Sequence, residues 1–317
     1  MLSLKVNGWG PAMNSDDLMI FLAVAEEGAI TKAASRLGYV QSNVTARVQQ
    51  LESDLDTPLF YRHSRGMTMT AAGKTLFDYA QRVQHLLQET RLAVQDSPFP
   101  KGALTIGSLE TTAAVRLPRL LAAYHRAYPE VDVALVTGPT EYLVEQVLHY
   151  KVDGAFVSGP IDHPDLCKEA AFPEELVLVS EPTALDMHTL RTKPLLAFHP
   201  GCSYRSRLEQ WVHSKGILLP KIMEFGSLEA IVSGVSAGLG ISLLPKSVTG
   251  KLEAQGVLRS HALPDPYGSV QTLFIRRTDL FVTSAFRAFV KDILQYIDLA
   301  STESPPAEQL AQSTFIP

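Results

Sequence analysis

Five polar side chains within seven residues have the chemistry for contacts with nucleic acid. They are Gln41, Ser42, Asn43, Thr45 and Arg47. Amides, hydroxyls and a guanidinium can hydrogen-bond to base edges in the major groove of DNA or to phosphates. Apolar residues recur behind them at helical spacing, at Val44, Val48, Leu51 and Leu55. The pattern predicts a helix that enters the major groove; the alternative is an ordinary helical hairpin with a solvated polar face.

A second, shorter helix must hold this one in place. Its apolar positions are Ile30, Ala33, Ala34 and Leu37. Small alanines allow the close crossing of a helix-turn-helix, and Gly38 ends the helix because glycine adopts the left-handed conformation at little cost. Thr31, Lys32 and Arg36 are further candidates for contacts with DNA, and Arg62 and Arg65 in the following loop are candidates for contacts with phosphates or the adjacent minor groove.

The whole chain is acidic, with a formal net charge of −5 over 317 residues. DNA affinity would therefore depend on local cations, because phosphate neutralisation is a local effect. No apolar run approaches the length of a membrane span, and residues 1–12 lack the pattern of a signal peptide. Whether Met1 or Met13 is the native start stays open. Two cysteines, Cys167 and Cys202, imply no disulfide framework and fit a reducing cytoplasm.

A long helix is predicted after the basic loop, with a heptad pattern typical of a two-stranded coiled coil. Its heptad positions are Leu76, Ala80, Val83, Leu87, Thr90 and Val94. We expect a winged helix-turn-helix domain over 13–70, then a linker and dimerisation helix over 71–97. The alternative is a helix packed only on its own domain, but a helix-turn-helix head generally needs two copies to read two half-sites.

From Gly102 onward the sequence alternates between strands and amphipathic helices. Predicted strands are 104–107, 131–136, 154–158, 174–179, 195–198, 222–225, 241–244 and 272–276. Predicted helices are 117–128, 141–150, 203–215, 228–237 and a last one that carries residues 281–293. This alternation predicts a mostly parallel, doubly wound α/β fold.

Two similar runs of strands and helices suggest a hinged ligand-binding domain over 102–300. We expect lobe I to comprise about 102–160 and 272–300, and lobe II to comprise about 161–271, so that the chain crosses between lobes twice. The polar, proline-bearing tail over 301–317 is expected to be disordered.

Four loops at the carboxyl ends of these strands are expected to bind a small molecule, since helix starts point free N–H groups into such crevices. Their candidate contacts are Ser108, Glu110, Thr111, Thr140, Cys202, Ser203, Arg205 and Ser227. Hydroxyls and amides at opposed helix starts favour an anion such as a carboxylate, with Arg205 as counter-charge. The alternative is that the hydroxyl residues only cap helices.

Two residues raise the question of reactivity. Ser236 lies in a Gly-x-Ser-x-Gly sequence, but its helical surroundings oppose the strand–serine–helix turn of a hydrolase, so we interpret it as a packing residue. Cys202 lies at a predicted helix start beside Arg205, which would lower a thiol pKa. A redox role is one hypothesis, and a plain packing or cleft-lining role is the favoured interpretation. The nine histidines form no paired metal-ligand motif.

Several segments in the same order resemble the LysR-type transcriptional regulators across residues 13 to about 300. They are FLAVAEEG at 21–28, TKAASRL at 31–37, QSNVT at 41–45, LE at 51–52, PLFYR at 58–62 and MTAAG at 69–73. The resemblance implies a dimeric linker helix, often assembled further into tetramers, and a periplasmic-binding-protein-like effector domain whose cleft the four loops line. The chain departs from the family at Ala29 and Val40, where a helix-starting serine is usual, and at Ala46, where a basic or polar residue is common.

Peroxide-sensing members of the resembled family carry a reactive cysteine in the loop that corresponds to Cys202. Their resolving cysteine would fall near Trp211, where this chain has none. The other cysteine, Cys167, lies far off in the sequence, so redox sensing stays the less favoured hypothesis.

The sequence thus predicts a cytoplasmic transcription regulator rather than an enzyme, assembled as a homodimer or homotetramer. Its expected partners are double-stranded DNA, a small-molecule effector and RNA polymerase, with no cofactor, metal or membrane. Two other classes compete with this prediction: a solute-binding protein with a helical head, which the missing export signal disfavours, and a hydrolase built on Ser236. Effector identity, operator sequence and the sign of regulation are not encoded in any pattern we recognise.

Overall fold

The computed structural model describes residues 13–64, 66–95, 97–183, 185–217 and 221–302, with side chains except at 187 and 298–302. The chain divides between Gln95 and Asp96 into two compact units. Arg65, one of the predicted DNA contacts, and residues 303–317 of the predicted tail lie outside the described residues. The last helix runs to Thr302, two residues into the predicted tail.

The first unit is a helix-turn-helix with a two-stranded wing and a long helix after it. Its elements are α1 (Ser15–Glu27), α2 (Ile30–Leu37), α3 (Gln41–Asp54), β1 (Phe60–His63), β2 (Gly66–Met69) and α4 (Ala71–Gln95). α1 begins after Asn14, whose side chain accepts hydrogen bonds from the N–H groups of Asp16 and Asp17. α2 ends at Gly38, with φ of 69°, as the sequence predicted.

The wing consists of β1 and β2, which pair antiparallel along their whole length. Glu52 on α3 holds it in place, because its Oε1 accepts hydrogen bonds from the N–H groups of Leu59 (2.8 Å) and Phe60 (3.2 Å). Gly66, with φ of 134°, lies so close to Gly28 that a Cβ would collide with that residue's carbonyl oxygen. The wing therefore has a fixed position beside the end of α1.

α4 differs between its two halves. In the first half, Ala80 is buried in the core of the first unit and Leu76 packs against it. In the second half, large apolar side chains are exposed: Val83, Leu86, Leu87, Leu92 and Val94. The predicted helix is present, and its later heptad residues stay exposed in the single chain.

The second unit is an α/β domain that begins with a strand at Gly102. Its strands are β3 (Gly102–Ser108), β4 (Val131–Thr137), β5 (Gly154–Ser158), β6 (Leu166–Ser180), β7 (Leu195–Ala197), β8 (Ile222–Glu224), β9 (Ser242–Pro245), β10 (Arg259–Ala262) and β11 (Ser269–Arg277). Its helices are α5 (Glu110–Val115), α6 (Leu117–Ala127), α7 (Thr140–Leu148), α8 (Met187–Thr192), α9 (Ser203–Ser214), α10 (Leu228–Ser236), α11 (Lys246–Ala254) and α12 (Ser284–Thr302).

The main sheet is mixed, which corrects the prediction of a mostly parallel one. The strand order is β10-β6-β11-β5-β3-β4, β9 also pairs with β6, and β7 pairs with β8. β3 is parallel to β4 and β5, as predicted, whereas β6 and β11 are antiparallel to their neighbours. The reason is that β6 leaves lobe I for lobe II and β11 returns, so these two strands run in opposite directions.

Lobe I contains β3–β5 with α5–α7 and α12, and lobe II contains β7–β10 with α8–α11. β6 belongs to both, because its first part pairs with β11 and its last part pairs with β9 and β10. Leu143 of lobe I and Leu208 of lobe II belong to one buried apolar cluster. The lobes therefore share a core beneath the crevice between them.

The sequence missed α5, α8, α11 and β10, each of which has nine residues or fewer. Shortness alone does not explain these misses, because α7 and α10 also have nine residues and were predicted. Within the described ranges, no helix is long and apolar enough to cross a membrane, and no group of three potential metal ligands occurs.

Candidate functional site

The outward side of α3 presents the polar residues that the sequence singled out. Gln41, Ser42 and Asn43 are exposed, whereas Val44 and Val48 are buried in the core of the first unit. Val40 supplies no side-chain cap, so the exposed start of α3 keeps backbone N–H groups that suit a phosphate. This arrangement suits insertion of the first turn of α3 into a groove of DNA.

Two other predicted contacts on α3 are half-buried and already engaged. The Thr45 hydroxyl donates to the Gln41 carbonyl oxygen, 2.9 Å away. The Arg47 guanidinium lies 3.0 Å from a carboxylate oxygen of Asp17 on α1, and the Asp17 side chain is only 12% exposed. Arg47 therefore joins α3 to α1 in the free protein.

The surrounding cations are largely paired with acids. Arg36 bonds Glu26 at 2.7 Å and Glu27 at 3.3 Å, and its hydrogen bond to Glu26 raises the pKa of the guanidinium. Arg62 lies 3.4 Å from Glu52. Thr31 and Lys32 are exposed on α2. Because exposed ion pairs are worth about 1 kcal/mol or less, DNA phosphates can compete for these side chains.

The second unit has a cleft of about 230 Å³ between its lobes, which we call the first cleft. It is lined by Leu109, Glu110, Thr111, Thr137, Gly138, Pro139, Phe198, His199, Cys202, Tyr204 and Gly226. Three predicted contacts, Glu110, Thr111 and Cys202, are among them. The Thr111 hydroxyl lies 3.4 Å from the Tyr204 hydroxyl, so that α5 meets α9 across the cleft.

A more open cleft of about 500 Å³, the second cleft, lies at the same helix starts. It is lined by Thr140, Glu141, Ser158, Gly159, Pro160, Ile161, Gly201, Ser203, Ser206, Arg207, Gln210, Pro266 and Tyr267. Of the predicted contacts it includes Thr140, whose hydroxyl accepts from the Ser158 N–H at 3.2 Å, and Ser203. Ser158 lies at the carboxyl end of β5, so the criterion that selected the other loops also applies to it, but the sequence analysis overlooked it.

Three predicted effector contacts line neither cleft. Ser108 is fully buried, and its hydroxyl donates to the Leu109 carbonyl oxygen. Ser227 caps α10 by accepting from the Ala230 N–H, which is the capping role that the alternative interpretation gave it. Arg205 bonds Glu209 at 2.9 Å and Glu224 at 2.7 Å, so two carboxylates already neutralise its charge.

Cys202 and Ser236 have no reactive surroundings. Burial raises the pKa of the Cys202 thiol, and the N–H groups of Tyr204 and Arg205 lower it by less. Ser236 ends α10, and its hydroxyl donates to the Val232 carbonyl oxygen at 2.8 Å, in place of the strand-to-helix turn of a hydrolase nucleophile.

A winged helix-turn-helix unit followed by a two-lobed α/β unit with a cleft between its lobes defines an effector-controlled DNA-binding regulator. The sequence pattern of the LysR substrate binding domain matches residues 99–298, and that of the bacterial regulatory helix-turn-helix protein, lysR family, matches residues 15–74. The chain belongs to the LysR family of transcription regulators, and it is not an enzyme.

Individual relatives agree with this assignment. The chain is 50% identical over 290 residues to the HTH-type transcriptional regulator GltR of Bacillus subtilis (strain 168), a match that spans 90% of this chain and 98% of that protein. It is 52% identical over 278 residues to the uncharacterised HTH-type transcriptional regulator YusT of the same organism, and this match spans 88% of this chain and 94% of that protein. The structure of a full-length OxyR variant from Pseudomonas aeruginosa matches with a TM-score of 0.64 at 22% identity, over 93% of this chain and 99% of that one. At this identity the match shows a similar fold and nothing more.

Proposed function

We propose that α3 reads the operator through Gln41, Ser42 and Asn43, and that the cations around it bind phosphates. The observation that carries this proposal is the exposure of these three side chains on a helix whose opposite side is buried. Thr31, Lys32 and Arg36 on α2 and Arg62 at the wing would position the protein on the DNA backbone, with Arg47 and Thr45 joining after the groove is entered.

Gel-shift titration with duplex DNA from upstream of the chain's own gene tests this assignment. Asn43→Ala should lower affinity for that duplex about tenfold, as expected for loss of a base contact of about 1–3 kcal/mol, and should lower affinity for random duplex much less. Gln255→Ala, at an exposed position of the second unit, is the control. Equal loss on both duplexes would remove Asn43 from base recognition.

We further propose that a small effector with an anionic group binds between the lobes and regulates DNA binding. α7 and α9 begin at the clefts. Pro139 supplies no side-chain cap to α7, and the first N–H groups of α9 face only the weakly accepting sulfur of Cys202, so both helix starts can donate to an anion. Arg207, which lines the second cleft, takes the counter-charge role that the sequence gave to Arg205. The effector would shift the population of lobe arrangements rather than undergo chemistry.

The protein would act in the cytoplasm, where its DNA and RNA polymerase are its partners. It would form a dimer or tetramer that is joined through the exposed apolar residues of α4. Val83, Leu87 and Val94 support the dimer, because they leave an apolar stripe exposed at heptad spacing in the single chain. We keep the domain limits that the sequence predicted: 13–70 for DNA binding, 71–97 for dimerisation and 102–300 for effector binding.

A further inference from the structure

The first cleft contains a carboxylate that a purely anionic effector would not require. Glu110 lines this cleft, and its Oε1 accepts a hydrogen bond of 2.8 Å from the N–H group of Leu228. That group is in the first turn of α10, where Ser227 also accepts from the Ala230 N–H. The chain's own side chains therefore accept from two of the first three N–H groups of α10, which leaves less for an anionic ligand to bind there.

The anion-binding end belongs instead at the starts of α7 and α9. Ser158 is 2% exposed, and its hydroxyl has no hydrogen-bond partner among the described residues, although it lines the second cleft. The hydroxyl of Ser203, in the first turn of α9, is likewise buried without a partner there. Two orphaned hydroxyls beside two helix starts without a side-chain oxygen cap indicate a missing acceptor. In the same cleft the positive charge of Arg207 offsets the carboxylate of Glu141.

The two clefts adjoin along the same segments of chain. Pro139 lines the first and Thr140 the second, and Cys202 lines the first and Ser203 the second. A ligand that spans these two segments would contact both groups of residues.

The first cleft is mostly apolar. Besides Glu110, its described lining residues include the hydroxyls of Thr111 and Thr137 and the imidazole of His199, but no lysine or arginine. Leu109 and Phe198 supply apolar surface, and Tyr204 supplies an aromatic ring. A carboxylate in such a partly enclosed place repels anions and attracts cations, because little water is present to screen it. The ligand that fits both ends carries a negative and a positive group.

Taking the proposed effector role of the clefts as given, we propose that the effector is an amino acid. Its carboxylate binds at the starts of α7 and α9 with Ser158 and Ser203, and its ammonium group binds Glu110. The remainder of the molecule lies against Phe198 and Leu109.

The test uses the full chain and its Glu110→Gln variant. Glutamine keeps an oxygen that can accept from the Leu228 N–H and removes only the charge, so a purely structural role of Glu110 predicts no change in ligand affinity. The twenty proteinogenic amino acids are screened for a rise in melting temperature. Each that stabilises the protein is then titrated calorimetrically beside the same acid without its amino group, such as glutarate for glutamate. Glu175→Gln, at an exposed carboxylate outside both clefts, is the control.

We expect at least one amino acid to bind the wild-type chain, and its amine-free counterpart to bind at least tenfold more weakly. Glu110→Gln should remove that difference by weakening the amino acid alone, and Glu110→Asp should restore part of it. Equal affinity of the two acids for the wild type, unchanged selectivity in Glu110→Gln, or binding by none of the amino acids overturns the proposal. If amine-free acids bind and Ser158→Ala weakens their binding, only the amino-acid proposal is overturned. If neither Ser158→Ala nor Ser203→Ala affects ligand binding, the proposal that the effector binds in these clefts is overturned as well.

Discussion

Arg47 on α3 and Asp17 on α1 form an ion pair, with 3.0 Å between the guanidinium nitrogen and the carboxylate oxygen. Asp17 also belongs to the capping box that starts α1, so its position is fixed by the backbone. The pair orients the second turn of α3 before any DNA is present. Arg47 thus lies where it can stabilise α3 and turn to a phosphate once the groove is occupied.

This dual position makes Arg47→Ala informative. We expect about tenfold weaker binding to all duplex sequences alike and a salt dependence that falls by about one counterion, since a phosphate contact carries no sequence information. Fluorescence anisotropy at several salt concentrations measures both quantities, with Arg126→Ala on the second unit as control. An unchanged salt dependence would mean that Arg47 stabilises α3 and contacts no phosphate. Simultaneous loss of effector binding would point to a folding defect.

The exposed half of α4 predicts the oligomeric state. Leu87→Asp should dissociate the assembly at micromolar concentration, because burying an unpaired carboxylate in a coiled-coil contact costs about 3 kcal/mol or more. Analytical ultracentrifugation gives the mass of each species. Gln88→Asp introduces the same charge at an exposed neighbour outside the heptad positions and should leave the assembly intact. If Leu87→Asp remains fully assembled, α4 does not form the interface.

Glu174 links the lobes and should matter for stability. Its carboxylate accepts from Arg116 Nε at 3.0 Å and from the Ser247 hydroxyl at 2.9 Å, and the side chain is almost fully buried. Glu174→Gln should lower the free energy of unfolding of the second unit by about 2 kcal/mol, since charge-assisted hydrogen bonds are lost. Urea denaturation measures the change. Glu175→Gln, at an exposed ion pair, should cost less than about 1 kcal/mol, and equal costs would contradict the assigned link.

Burial raises the pKa of the Cys202 thiol, which predicts low reactivity. At neutral pH less thiolate is present than for a free cysteine, and reaction should accelerate only as the pH rises above the usual range of thiol titration. Cys167 is partly exposed and should react first with a chromogenic disulfide reagent. Comparing Cys202→Ser with Cys167→Ser assigns the two phases, and a fast phase that disappears with Cys202→Ser would revive the redox hypothesis.

Helices with a long periodic pattern of apolar residues were predicted well, whereas the directions of the strands in the main sheet were not. α3, α4 and α9 each span three turns or more, so their apolar positions predicted them well. β6 was predicted from its buried end alone, because the residues from Leu166 to Ala171 include few large apolar side chains and give no local strand pattern.

Around the clefts, the placement of the loops was predicted better than the direction of the side chains. Arg205 was chosen for its place at the start of α9, yet its guanidinium turns to Glu209, one helical turn away, and to Glu224 on β8. The spacing to Glu209 was visible in the sequence as a favourable i,i+4 pair, whereas Glu224 becomes a neighbour only through folding. That Arg207 lines the second cleft likewise depends on folding, because its neighbours there come from distant parts of the chain.

α5 has only six residues, but it and its C-cap residue bond three separate parts of the chain. Glu110 bonds α10, Thr111 meets Tyr204 on α9, and Arg116 bonds Glu174 on β6. Inserting or deleting one residue here would rotate these side chains by about 100° and detach all three partners together. Changes of ligand preference in evolution are therefore expected to proceed by substitutions around this segment, at constant length, rather than by loop insertion.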